Sequence, residues 1–224
     1  MKVKCVYTVL GMICLLCLFL LTINAWATPY ISFSSNRTGD SDIYIMDING
    51  KNLRNLTNHP AYDAKATWAP NGRAFAFVSN RDGNYEIYVM ERSETVPRRL
   101  TNHPRLDSDP AWSPDGNWIA FRSQRHRPAN SDIYKIDING ENLQQLTDDG
   151  EYNSSPAWSP DGKQIVFHSM RRGTSSLYVM NADGTRIRRV MRPQDKGDLR
   201  AGRQMARRLP MMSVLWGVVS TSWV

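Results

Sequence analysis

His59 and His103 each stand nine residues before a tryptophan, Trp68 and Trp112, and the matching position before Trp158 is Asp149. Two imidazoles and a carboxylate recurring at one register form a ligand set that a divalent ion accepts, provided the fold turns them toward a common point. The simpler assignment makes both histidines polar members of Thr-Asn-His-Pro turns. Asp63, Asp107 and Asn153, each five residues before the same tryptophans, make a second recurrent set. They read either as a ring of acceptors open to a binding partner or as Asx caps of the local backbone. As exposed loop positions, Asp63 and Asp107 should tolerate alanine with less than about 1 kcal/mol of lost stability. With Tyr62 and Tyr152 beside them, the candidate binding loops comprise His59, Tyr62, Asp63, His103, Asp107, Tyr152 and Asn153.

Covalent catalysis has no group to carry it. Cys5, Cys14 and Cys17 all fall in the N-terminal apolar run, which leaves the rest of the chain without a thiol nucleophile, a Cys-ligated zinc cage or a disulfide. A nucleophile elbow, G-x-S-x-G, is missing too: the nearest string, Gly217-Val218-Val219-Ser220, lacks the closing glycine. No catalytic residue, cofactor or resident metal is therefore expected. A Ser-x-Arg element recurs at Ser35–Arg37, Ser79–Arg81, Ser123–Arg125 and Ser169–Arg171. The planar guanidinium fork suits ion pairs with Asp42, Glu86 and Asp132, with Ser176 breaking the pattern in the last copy. His126 and His168 have no counterparts in the other copies and read as surface positions.

The chain of 224 residues carries a net charge of +7, and its location decides what that charge is for. Residues 1–27 contribute +2 and residues 192–224 contribute +4, so residues 28–191 stand at +1. A nearly neutral domain lacks the basic stripe that tracks phosphates, which excludes nucleic acid as its partner. Lys2 and Lys4 precede an apolar run from about Val9 to Leu21, and Ala25-Trp26-Ala27 follows with small residues at the two positions a signal peptidase reads. This predicts a signal peptide over 1–27, cleavage after Ala27, export to the periplasm or beyond, and no stable membrane span afterwards. The alternative is an uncleaved anchor.

Everything after the signal is organised by a repeat. Tyr44, Tyr88, Tyr134 and Tyr178 are spaced by 44, 46 and 44 residues, and Trp68, Trp112 and Trp158 by 44 and 46. Short runs rich in Ile, Val, Phe and Tyr alternate with turn chemistry, so each unit reads as four strands. Ser113-Pro114-Asp115-Gly116 and Ser159-Pro160-Asp161-Gly162 have the composition of a β-turn, with Ala69-Pro70-Asn71-Gly72 as the variant. Asn49-Gly50, Asn139-Gly140 and Asp183-Gly184 predict a second, tight hairpin. One such unit cannot bury both of its faces, so neighbours must stack on it, and four strands every 44–46 residues is propeller spacing. The first copy starts at Ile31 on its second strand and so lacks an inner strand. The tail run from Ser213 to Val224 is a candidate to fill that place.

The strings P-A-W-S-P-D-G at Pro110–Gly116 and Pro156–Gly162, followed by I-x-F-x-S-x-R and D-I-Y, resemble the WD-like repeat of TolB-family propellers over about residues 30–191. The resemblance implies an all-β fold, a β-propeller of four TolB-type four-stranded blades over 28–194, followed by a tail at 195–224. Propellers of that family have six blades, so an incomplete or open ring is the alternative for four. It also implies a non-catalytic scaffold in the periplasm that binds a protein of the cell envelope. Related propellers that are carbohydrate-active or metal-dependent enzymes supply the competing expectation.

Overall fold

The computed structural model describes residues 30–190, built of fifteen strands and one short 3₁₀ turn. The expected signal peptide and its cleavage site, the three cysteines and the tail lie outside the described residues. The first sheet has three strands, β1 (Tyr30–Ser35), β2 (Asp42–Asp47) and β3 (Arg54–Asn55), in the order β1-β2-β3. The second comprises β4 (Asp63–Trp68), β5 (Ala74–Ser79), β6 (Glu86–Glu91) and β7 (Arg98–Arg99). The third comprises β8 (Asp107–Trp112), β9 (Trp118–Ser123), β10 (Asp132–Asp137) and β11 (Gln144–Gln145). The fourth comprises β12 (Asn153–Trp158), β13 (Gln164–Ser169), β14 (Ser176–Asn181) and β15 (Arg188–Arg189), with the 3₁₀ turn at Arg171–Gly173. Each four-stranded sheet is a plain antiparallel meander in chain order. The expectation of four four-stranded blades is thus met by three among the described residues, where the first sheet shows three strands, β1 to β3.

The described residues fall into two compact units, 30–31 with 45–54 in one, and 32–44 with 55–190 in the other. Within the smaller unit, Asp47 organises a turn: its carbonyl accepts from Gly50 N at 3.0 Å, and its Oδ1 accepts from Asn49 N at 2.9 Å and Lys51 N at 2.8 Å. Asp137 repeats the arrangement in the third sheet, with Asn139 N and Glu141 N at 3.0 and 2.8 Å. The glycines at these turns take positive φ, +75° at Gly50 and +88° at Gly140, whereas Asn49 and Asn139 do not. The Asn-Gly pair therefore works as the end of a longer loop governed by the aspartate, rather than as a two-residue hairpin.

In the larger unit, apolar residues at alternate strand positions meet between consecutive sheets. Ile87, Leu100, Ile119, Phe121 and Tyr134 are buried together between the second and third. Ile133, Leu146, Ile165, Phe167 and Tyr178 do the same between the third and fourth. The tryptophan ending each inner strand adds an indole hydrogen bond. Trp68 Nε1 reaches Ser32 Oγ at 2.8 Å and Trp158 Nε1 reaches the Ala111 carbonyl at 3.0 Å, both in the preceding sheet. Trp112 instead bonds its own turn at the Gly116 carbonyl, 3.1 Å away. The Ser-Pro-Asp-Gly turns close as their composition requires: Gly116 N and Gly162 N bond the carbonyls of Ser113 and Ser159 at 3.0 and 2.9 Å. The serine hydroxyls accept Trp118 N and Gln164 N at 2.9 Å in both turns.

Each inner strand is stitched backwards. The amides of Asp63, Asp107 and Asn153 donate to Ser41, Tyr85 and Ser131 carbonyls at 2.7, 2.9 and 2.8 Å. The chain thus leaves one sheet's outer strand and enters the next sheet at its innermost position, so the sequence repeat and the sheet are out of step by one strand.

Candidate functional site

Antiparallel meanders put the loops before the inner strands and the loops carrying Ser-x-Arg at one end of the sheets, with the Ser-Pro-Asp-Gly turns at the other. The predicted site residues all belong to the first end. Asp63, Asp107 and Asn153 open β4, β8 and β12, opposite Ser79, Ser123 and Ser169. None of the three is a loop residue in contact with solvent, because each is wholly buried. The expectation of an exposed ring of acceptors is corrected on that point.

Their partners are the arginines of the Ser-x-Arg element. Arg81 Nη2 lies 3.0 and 2.8 Å from the two oxygens of Asp63, and its Nε bonds Ser79 Oγ at 2.9 Å. Arg125 repeats this with Asp107 Oδ2 at 2.6 Å and Ser123 Oγ at 2.9 Å. In the fourth sheet, where Asn153 carries no charge, Arg171 pairs with Asp149 instead. Each guanidinium also lies over two rings, Arg81 on Phe77 and Tyr88 at 5.4 and 5.1 Å from their centroids. Arg37 stacks likewise on Phe33 and Tyr44, and among the described residues no carboxylate pairs with it. The aspartates supply the charge and the aromatics a flat apolar bed, which together fix the loop end of each sheet.

The acids first assigned to these arginines do other work. Asp42 accepts from Thr57 Oγ1 and His59 N, both at 3.1 Å, and Glu86 accepts from Thr101 Oγ1 at 2.5 Å and His103 N at 2.6 Å. Asp132 accepts from Thr147 Oγ1 at 2.9 Å. The acid of D-I-Y and the threonine of L-T therefore lock the outer strand's exit, and the same threonines accept the amides of Ile43, Ile87 and Ile133 at 3.0, 2.9 and 3.0 Å. That lock is visible in the sequence as two recurrent residues 15 apart, Asp42 with Thr57, Glu86 with Thr101, and Asp132 with Thr147.

The histidines serve their own turns. His59 Nδ1 accepts from Ala61 N at 3.0 Å and His103 Nδ1 from Arg105 N at 3.2 Å. Burial and the nearby Arg125 hold the His103 imidazole below its ordinary pKa. His168, expected at the surface, is half-buried and paired with Ser175. Asp107 is the titratable outlier: burial pushes it up to about 6 despite Arg125, with the charge of Glu86 adding to the rise. Its Oδ1 is buried and unpaired, as is Asn153 Oδ1.

The surface of this end mixes aromatic, basic and acidic groups: Tyr62, Arg105, Asp82 and Asp148 are exposed, whereas Tyr152 and Arg122 are half-buried. Tyr62 is 44% exposed and meets Tyr85 edge to face, with centroids 5.7 Å apart. Tyr85 in turn packs on the core between the second and third sheets. Tyr152 lies under Arg122, whose guanidinium sits 5.4 Å from the ring centroid and bonds the phenol.

A further set escapes sequence reasoning altogether. Every inner strand carries a bulge at one register, with the non-glycine residues Lys65, Asp109 and Ser155 at φ +56°, +55° and +51°. Left-handed backbone is costly for such residues and tends to mark places where a side chain is being re-aimed. Lys65 Nζ meets Asp109 Oδ1 at 2.5 Å across two sheets, and Arg122 Nε lies 3.5 Å from Asp109 Oδ2. The three residue types differ, so no repeat-level pattern announces them. The one hint is Pro110 and Pro156, which lack the amide a regular ladder would use.

Comparison with known proteins agrees with this geometry. The model of the TolB beta propeller domain matches at 27–95, 67–130 and 126–200. No curated protein sequence matches the chain. A protein assigned as TolB from Agrobacterium tumefaciens is 27% identical and superposes with a TM-score of 0.66 over 72% of this chain and 61% of its own. TolB from Acinetobacter baumannii, at 22% identity, also gives 0.66, over 73% of this chain and 42% of its own. Oligogalacturonate lyase from Vibrio parahaemolyticus, 16% identical, shares the fold with a TM-score of 0.58 over 71% and 48%. The chain thus spans less than two thirds of each of these proteins.

Proposed function

From a chain that belongs to the TolB β-propeller family, we propose an exported, non-catalytic binding module that presents the loop end of its blades to a protein of the cell envelope. One observation carries this reading. The acids that recur at that end are engaged internally, by the Asp63–Arg81 and Asp107–Arg125 pairs and the acid–threonine locks, while Tyr62 is left outward on a braced support, with Asp82 and Asp148 also exposed. Asp63 and Glu86, each held by several donors, make poor acids, bases and metal ligands. An exposed tyrosine anchored by a second aromatic, as Tyr62 is by Tyr85, makes a good contact residue. Export follows from the N-terminal signal, with Thr28 as the first residue of the mature protein.

Affinity capture from envelope extract with wild type and Tyr62→Ala tests the proposal. A partner held by the wild type and lost with the variant, at an unchanged melting temperature, supports it. The competing reading, a metal-dependent or carbohydrate-active propeller, would gain from a divalent ion that co-purifies with the protein and disappears in His59→Ala.

A further inference from the structure

The opposite end of the sheets, away from the loops just described, holds a cavity of about 380 Å³ between the third and fourth sheets. Its walls include Trp118, Trp158 and Lys135, and its rim carries Asp115 and Asp161 from the two Ser-Pro-Asp-Gly turns. The repeats themselves indicate that this junction is special. At the position of Lys135 the other copies have Ile45, Val89 and Val179, and at that of Trp118 the second and fourth sheets have Ala74 and Gln164. Val89 packs on the core between the second and third sheets, and Val179 is wholly buried. An ammonium has therefore replaced an apolar side chain at a packing position, where burial lowers its pKa and the charge of Asp183 offsets part of the fall. Lys135 Nζ lies 4.8 Å from the Trp118 centroid and donates to the Ala182 carbonyl at 2.8 Å, which leaves it further donor capacity.

Charge narrows what could enter. Asp115 and Asp161 are held ionised below the ordinary carboxylate range by the hydroxyls of Ser113 and Ser159, and they repel an anion. A cation meets the ammonium of Lys135, which already occupies the face of Trp118. A neutral ligand with hydroxyls and an apolar C–H face satisfies all three kinds of group: hydroxyls donate to the carboxylates and accept from the ammonium that Trp118 seats, and C–H groups lie on the Trp158 indole. We propose that the cavity walled by Trp118, Trp158 and Lys135 is a binding site for one ring of a neutral saccharide. It is separate from the protein-binding end and does not depend on it.

Titration of the full chain with methyl α-glucopyranoside and a neutral gluco-oligosaccharide, followed by tryptophan fluorescence and calorimetry, tests the site. Methyl glucuronide and glucosamine serve as the charged comparisons. The expected result is saturable binding of a neutral sugar, at least tenfold weaker for both charged ones, and lost in Lys135→Val and in Trp118→Ala. Lys135→Val installs the residue of the second and fourth sheets, so its fold is kept and its melt should equal or exceed that of the wild type. No saturable response to either neutral sugar, an unchanged response in Lys135→Val, or preference for a charged sugar would each overturn the proposal.

Discussion

Arg81 donates from a single terminal nitrogen to both oxygens of Asp63, a carboxylate with no solvent exposure at all. The pair joins the first residue of an inner strand to the loop that follows the neighbouring strand, and the ring bed of Phe77 and Tyr88 holds the guanidinium flat. Removing one member leaves the other charged and poorly solvated, which costs more than the pair itself contributes.

Asp63→Ala should therefore lower stability by about 3 kcal/mol, the range for breaking a buried ion pair. Urea denaturation of wild type and variant measures it. A loss below about 1 kcal/mol would return Asp63 to the status of an exposed surface residue.

Asp107 predicts a pH dependence. Its folded pKa, about 6, lies above the ordinary 3.8 because of burial, so the folded state binds the proton more readily than the unfolded chain. The stabilising contribution of that proton is fully present below the unfolded value and is lost as pH rises through about 6. The groups facing it are Arg125, Glu86, Ser123 and Thr101. Thermal melts of wild type minus Asp107→Asn should show the wild type gaining relative stability from pH 7 to pH 4.5. A flat difference would mean that Arg125 holds the carboxylate ionised throughout.

The glycines separate two effects. A Cβ at Gly184, φ +85°, would stand 2.8 Å from the Leu146 carbonyl oxygen, whereas one at Gly72, φ +65°, meets nothing within 4 Å. Gly72→Ala should cost about 1 kcal/mol for left-handed backbone alone. Gly184→Ala should cost at least twice as much, since rigid backbone must move. Equal losses in the two variants would show that the sheet junction yields freely.

The proposed export supplies a prediction independent of the fold. Intact mass of the exported protein should correspond to a chain starting at Thr28, and a mass that includes Lys2 would indicate an uncleaved anchor.

The repeat, the strands of each described sheet and the turn positions were all legible in the sequence, because each rests on local chemistry repeated at fixed spacing. Partner choice was not. Ser-x-Arg announced an ion pair, yet the nearest acid by strand logic, Glu86, is engaged by Thr101 and Arg99, and the partner of Arg81, Asp63, opens β4, 18 residues upstream. Only the register of β4 against β5 sets that choice. The burial of Asp63, Asp107 and Asn153 was hidden for a related reason: a polar residue between a turn and a strand has the same sequence signature whether it faces water or an arginine. The bulges at Lys65, Asp109 and Ser155 lie beyond pattern reading, since their side chains share no property.

The one-strand offset between the repeat and the sheet bears on how such a chain can change length. Excising one whole period from the acid of D-I-Y to its counterpart, 44 residues from Asp42 to Glu86 or 46 from Glu86 to Asp132, keeps each remaining acid with its own threonine and the inner-strand residue that follows. Lost or added genetic units are thus absorbed at seams that already fit, and blade number can drift by in-frame duplication without any sheet being cut. The one requirement is that the acid, the threonine and the following inner-strand residue travel together.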